Sequence, residues 1–71
     1  MQTGELTLQQ QVGSAIDHSP HFSARRVRFE AVDDCVILEG VVSTYFQKQM
    51  AQEAILRIDG IRQIENRLQV I

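Results

Sequence analysis

Residues 35–68, CVILEGVVSTYFQKQMAQEAILRIDGIRQIENRL, change hydrophobic period twice, and that double change decides the fold. Cys35 to Val42 reads as an apolar strand, with Val36, Leu38, Gly40 and Val42 on one face. Helical spacing then takes over: Gln47, Ala51, Ala54, Ile55 and Ile58 form a stripe flanked by Phe46 and Met50, and the alanines let the helix lie close to a sheet. The helix is expected to open at an N-cap on Ser43 and to close at Gly60 in the left-handed C′ position. A further strand sets Ile64, Asn66, Leu68 and Val70 against Glu65, Arg67, Gln69 and Ile71.

Upstream, Arg25 to Val32 alternates strictly, with Val27, Phe29 and Ala31 on one side and Arg26, Arg28 and Glu30 on the other, which predicts a half-buried strand. Asp33-Asp34 joins it to Cys35 as a hairpin, although Asp at the second turn position accepts a positive φ less readily than Gly. Between Leu6 and Ser19, the residues Leu8, Val12, Ala15 and Ile16 make the stripe of an amphipathic helix. Thr7 or Thr3 could cap its start, and Ser19-Pro20 ends it, because proline disfavours helical geometry in the residue before it. His18, when protonated, suits the negative end of that helix.

The order helix, strand, strand, helix, strand predicts an α+β domain in which two helices cover one face of a three-stranded mixed sheet. A right-handed crossover is expected if the strands around the second helix are parallel. The domain is placed at residues 6–71, with 1–5 as an extension expected to be disordered. At 71 residues there is room for one core only. Such a core supplies no more than about 3–5 kcal/mol, so association with another chain or copy is a reasonable expectation.

Seven basic against nine acidic residues leave a net charge of -2, which argues against nucleic-acid binding. A single cysteine cannot form an internal disulfide. No stretch reaches the roughly 18 apolar residues of a spanning helix. The start MQTGELTLQQ lacks the basic and apolar regions of a signal peptide, so as written the chain is expected to stay where it is made, or in the envelope if a signal has been trimmed.

The hairpin VRFEAVDDCVILEGVV, then Lys48, Ala51 and Ala54, then DGIRQIENRLQV, resemble the BON domain over nearly the whole chain. The most specific part is Gly60-Ile61 followed by Ile64, Asn66 and Leu68. Two departures stand out: Asp34 replaces a turn glycine, and Cys35 and Ile37 are bulkier and more apolar than usual for an outer face. The resemblance implies a non-enzymatic binding module associating with phospholipid membranes or cell-envelope partners, often in tandem copies. It implies no cofactor. Its motif residues Gly40, Gly60 and Asn66 have structural readings: Gly40 admits a neighbouring backbone, and the Asn66 amide bonds loops at the sheet margin.

The candidate ligand-binding residues are Arg25, Arg26 and Arg28, the one local basic cluster, suited to phosphate or anionic lipid. The alternative for them is a solvated strand face with Glu39 or Glu65 as cross-strand partner. The second candidate is an interaction face of Val32, Cys35, Ile37, Val41 and Ile71, apolar groups left to water if both helices take the other side. Through that face or a sheet edge the domain would join a copy of itself or another protein. Tyr45 and Leu56 lie off the core stripe of the second helix. Packing on the first helix is expected for Tyr45, and for Leu56 the choice between packing and a second contact surface stays open.

No zinc-like spacing links His18, His21, Cys35, Asp33 and Asp34, so no metal site is expected. Catalysis is not expected either: two aspartates precede Cys35 and disfavour a thiolate, and a core this small leaves little room for a substrate cleft.

Overall fold

The computed structural model describes residues 7–71. The N-terminal extension at 1–5 and the alternative cap Thr3 lie outside them. The first helix, α1, spans Leu8–Asp17. Thr7 caps it in a capping box: its Oγ1 accepts from the Gln10 N–H at 3.1 Å, while Gln10 Oε1 accepts from the Thr7 N–H at 2.9 Å. Two donors that the first turn would leave open are thereby satisfied. His18 is the C-cap, and its Nδ1 lies 2.8 Å from the Ser14 carbonyl oxygen.

A single 3₁₀ turn, Ala24–Arg26, leads into strand β1, Val27–Val32, followed by β2, Cys35–Val42. Helix α2 is Tyr45–Leu56 and strand β3 is Gln63–Val70. The sheet order is β1-β2-β3, with β1 antiparallel to β2 and β2 parallel to β3. This is the α+β arrangement that the two changes of period predict, with β2 at the centre of a mixed sheet.

The core lies between the sheet and the two helices. Val27, Val36, Leu38, Val42 and Leu68 from the strands meet Val12 and Ile16 from α1 and Ala51 and Ile55 from α2, all buried. Leu38, at the middle of the central strand, is fully enclosed. Phe29, Ile58, Ile61 and Ile64 pack around this cluster, and among the described residues no buried side-chain N or O atom lacks a partner.

Several boundaries differ from the sequence expectation. β1 starts at Val27 rather than Arg25, because Arg26 N–H donates to the Ser23 carbonyl at 3.0 Å and winds the arginine pair into the 3₁₀ turn. The cap of α2 is Thr44, not Ser43: Thr44 Oγ1 accepts from the Gln47 N–H at 3.0 Å, and the Ser43 N–H donates to Gln47 Oε1 at 2.7 Å. Both hydroxyls could cap, and the extended Thr44 backbone is the one that directs its oxygen into the first turn.

α2 ends at Leu56 with Arg57 as C-cap, so Gly60 is not at C′ but in a turn further on, at φ +99. In the hairpin turn the positive φ falls on Asp33, at 56°, not on Asp34. Asp33 tolerates this because a short polar side chain can visit the left-handed region.

Candidate binding surface

Gly40 is where the fold sets the site. It pairs with Val27 across the hairpin and has φ +132. A Cβ placed there would lie 2.0 Å from the Arg26 carbonyl oxygen. The neighbouring backbone that Gly40 admits is therefore that of the arginine turn, and the same close approach fixes where Arg25 and Arg26 emerge.

On the outer face the strand register forms transverse rows. Val32 is level with Cys35 and Gln63; Glu30 with Ile37 and Glu65; Arg28 with Glu39 and Arg67; and Val41 with Gln69. Cations thus gather toward the end where β1 begins, and carboxylates toward the hairpin turn. Arg67 is held by Glu65, Nε to Oε2 at 2.6 Å, and reaches Glu39 at 3.6 Å. The hydrogen bond and charge of Glu65, then the charge of Glu39, raise its pKa above the ordinary arginine value. All three side chains are about half exposed, so this chain of charges contributes little stability.

Glu39 and Glu65, either of which a solvated strand face would offer to the arginine cluster as a partner, both engage Arg67. Among the described residues, Arg25, Arg26 and Arg28 are in no ion pair. The structure brings them to two adjoining open hollows that share Val41. One, of about 520 Å³, is lined by Arg25, Arg26 and Phe22; the other, of about 450 Å³, by Arg28 and Arg67. Arg67 belongs to this basic end but was invisible in the sequence, because only the β2–β3 register brings it level with Arg28.

The apolar outer face is less open than predicted. Val32 and Ile71 are exposed, at 45% and 73%, but Cys35, Ile37 and Val41 are only partly so. They sit on the central strand between β1 and β3, where Glu30 and Glu65 flank Ile37 and Glu39 lies between Ile37 and Val41. Ile71 follows β3 beside the basic end, where its N–H donates to the Val42 carbonyl at 3.0 Å.

Tyr45 does not pack on α1: it is 76% exposed, and Leu56 is 51% exposed. Helix α2 leans on β3, which directs both residues to the margin of the sheet. Tyr45 and Asn66 share one hollow there, and Leu56 and Ile64 another. Phe46, more than half exposed, meets the His21 ring edge-on at 5.4 Å.

Asn66 bonds a helix, not loops. Its Nδ2 donates to the Lys48 carbonyl at 2.9 Å and to Gln52 Oε1 at 3.3 Å, while Oδ1 accepts from the Leu68 N–H at 3.2 Å. It clamps α2 to β3. His18 and His21 line a hollow between the helices, while Cys35, a free thiol, lies on the sheet's outer face. Among the described residues no three His, Cys, Asp or Glu side chains are grouped to hold a metal ion, and no helix is long and apolar enough to cross a membrane.

Two helices on one face of a small mixed sheet, with the other face open and the β1 and β3 edges unpaired, make a compact α+β domain. The BON domain model matches residues 5–71, and the chain belongs to that family. BON domains are in general non-catalytic modules that bind membranes or other proteins. No curated protein matches the chain.

Proposed function

We propose that this BON domain is a non-catalytic docking module for anionic phospholipid surfaces, held by Arg25, Arg26 and Arg28 at one end of the outer sheet face. The observation that carries the reading is that none of these three guanidiniums is in an ion pair among the described residues, although Glu39 is level with Arg28 across the hairpin; Glu39 and Glu65 engage Arg67. Free guanidiniums beside open hollows can take phosphate oxygens in bidentate fashion. Exposed Ile71 at the same end supplies an apolar group for shallow insertion between head groups.

Each arginine near an anionic surface contributes about 1 kcal/mol, so the three together strengthen binding on the order of a hundredfold. That is enough to overcome a net charge of -2, because surface charges further than about 8–10 Å are screened at physiological salt and the local cluster dominates. Co-sedimentation with vesicles containing phosphatidylserine tests the reading. Binding at low salt that falls away at high salt is expected; no binding at low salt would overturn it.

A further inference from the structure

The open edge of β3 carries a self-complementary sequence. Residues 63–69 read Gln-Ile-Glu-Asn-Arg-Leu-Gln, and about Asn66 they mirror by chemistry: Glu65 answers Arg67, Ile64 answers Leu68, and Gln63 answers Gln69. β3 is an edge strand, paired with β2 on one side only. We propose that it pairs antiparallel with β3 of a second copy about a two-fold axis at Asn66, joining two sheets into one of six strands. This goes beyond lipid docking and uses the sheet edge opposite the arginine turn.

The backbone has the right parity. Gln63 N–H and Ile71 N–H donate toward β2, to the carbonyls of Asp34 and Val42. Backbone groups alternate direction along a strand, so the odd-numbered residues of β3 serve β2 and the even ones, Ile64, Asn66 and Leu68, face the open edge. An antiparallel two-fold at Asn66 matches even with even: Asn66 bonds its own counterpart and Ile64 bonds Leu68 of the second copy. The Leu68 N–H gives up its 3.2 Å bond to Asn66 Oδ1 for a carbonyl of the second copy.

Glu65 and Arg67 then fall in the non-hydrogen-bonded pairs, where facing side chains are closest. Each Glu65 lies between its own Arg67 and that of the second copy, which makes a ring of alternating charge. Charge also selects the register. Keeping side chains on their proper faces, the next shift in one direction sets Arg67 against Arg67, and in the other Glu65 against Glu65, both repulsive.

The flanking surface agrees. Tyr45 and Leu56, two of the large apolar side chains most open to water, line hollows between α2 and β3. The two-fold brings the Leu56 end of one helix toward the Tyr45 end of the other and covers both. β3 has no proline along its eight residues, and among the described residues no strand pairs with its free edge. Undefended edges of this kind are templates for pairing.

Sedimentation of the full chain over a concentration series tests the proposal with two variants, Glu65→Arg and Arg67→Glu. The wild type is expected to form a dimer. Each variant alone places like charges across the axis and is expected to weaken the dimer at least about tenfold. An equimolar mixture of the two restores opposite charges at every pair, so it is expected to dimerise again as a heterodimer. Matched far-UV spectra and melting curves show that the variants are folded. A wild type that stays monomeric throughout, variants that dimerise like wild type, or a mixture that stays monomeric would each overturn the proposal.

Discussion

The two edges of this sheet are built differently. On the β1 side the chain enters through a 3₁₀ turn pressed onto Gly40, the strand is six residues long, and the edge is approached by Arg25, Arg26 and Arg28. On the β3 side the strand is eight residues long, without proline, beside the exposed side chains of Tyr45 and Leu56. The β1 edge is short and charged, as edges protected against pairing usually are. The β3 edge has no such protection, and its charges are arranged to match a copy of itself. On the two proposals above, one small domain presents a polyanion contact at the end of the sheet where β1 begins and a self-association contact along the β3 edge.

The comparison breaks first at Gly40. Gly40→Ala drives a methyl group into the Arg26 carbonyl at a positive φ, and overpacking and backbone strain each cost roughly 1–3 kcal/mol. Against a core worth about 3–5 kcal/mol, the domain is expected to be largely unfolded at 25 °C by circular dichroism. Gly60→Ala is the contrast: φ is also positive, but nothing lies within 4 Å of the new Cβ. It is expected to lose only about 1–2 kcal/mol in urea unfolding, and equal losses at both sites would show that strain rather than the close approach dominates.

The β3 edge is next. Reversing Glu65 or Arg67 singly is expected to cost about tenfold in dimer affinity; because Arg67 also lines the hollow with Arg28, only Glu65→Arg is expected to leave vesicle binding undiminished. Smallest is a gain on the β1 side. Gly13 lies inside α1, and a Cβ there would meet the Phe29 ring at 3.6 Å, an ordinary contact. Gly13→Ala is expected to raise stability by about 0.5–1 kcal/mol, read as a higher urea midpoint with an unchanged slope. A fall would mean that α1 and β1 are packed more tightly than that contact distance implies.

Element types and order were legible because each rests on local periodicity: alternation at Val27–Val32, helical spacing through Ala51 and Ile55, and alternation again at Ile64–Val70. Boundaries were less so. Adjacent hydroxyls at Ser43 and Thr44 compete for one cap, and a glycine with positive φ at 60 serves a turn as well as a helix end. The arginine cluster was visible as a run of residues, but its freedom from ion pairs was not. Glu39 and Glu65 engage Arg67 instead, and only the parallel β2–β3 register brings Glu39 level with Arg67. Helical spacing set Tyr45 and Leu56 off the core stripe, but that both stay exposed rather than packing on α1 is a tertiary outcome that the helix sequence does not contain.

The most direct test of the lipid-docking account is co-sedimentation of the triple variant Arg25→Glu, Arg26→Glu and Arg28→Glu with phosphatidylserine vesicles, beside a sedimentation series on the same sample. The predicted result is a loss of vesicle binding of about a hundredfold or more at low salt, with the dimer retained, since the changes lie at the opposite edge. Vesicle binding that survives the triple reversal would contradict it.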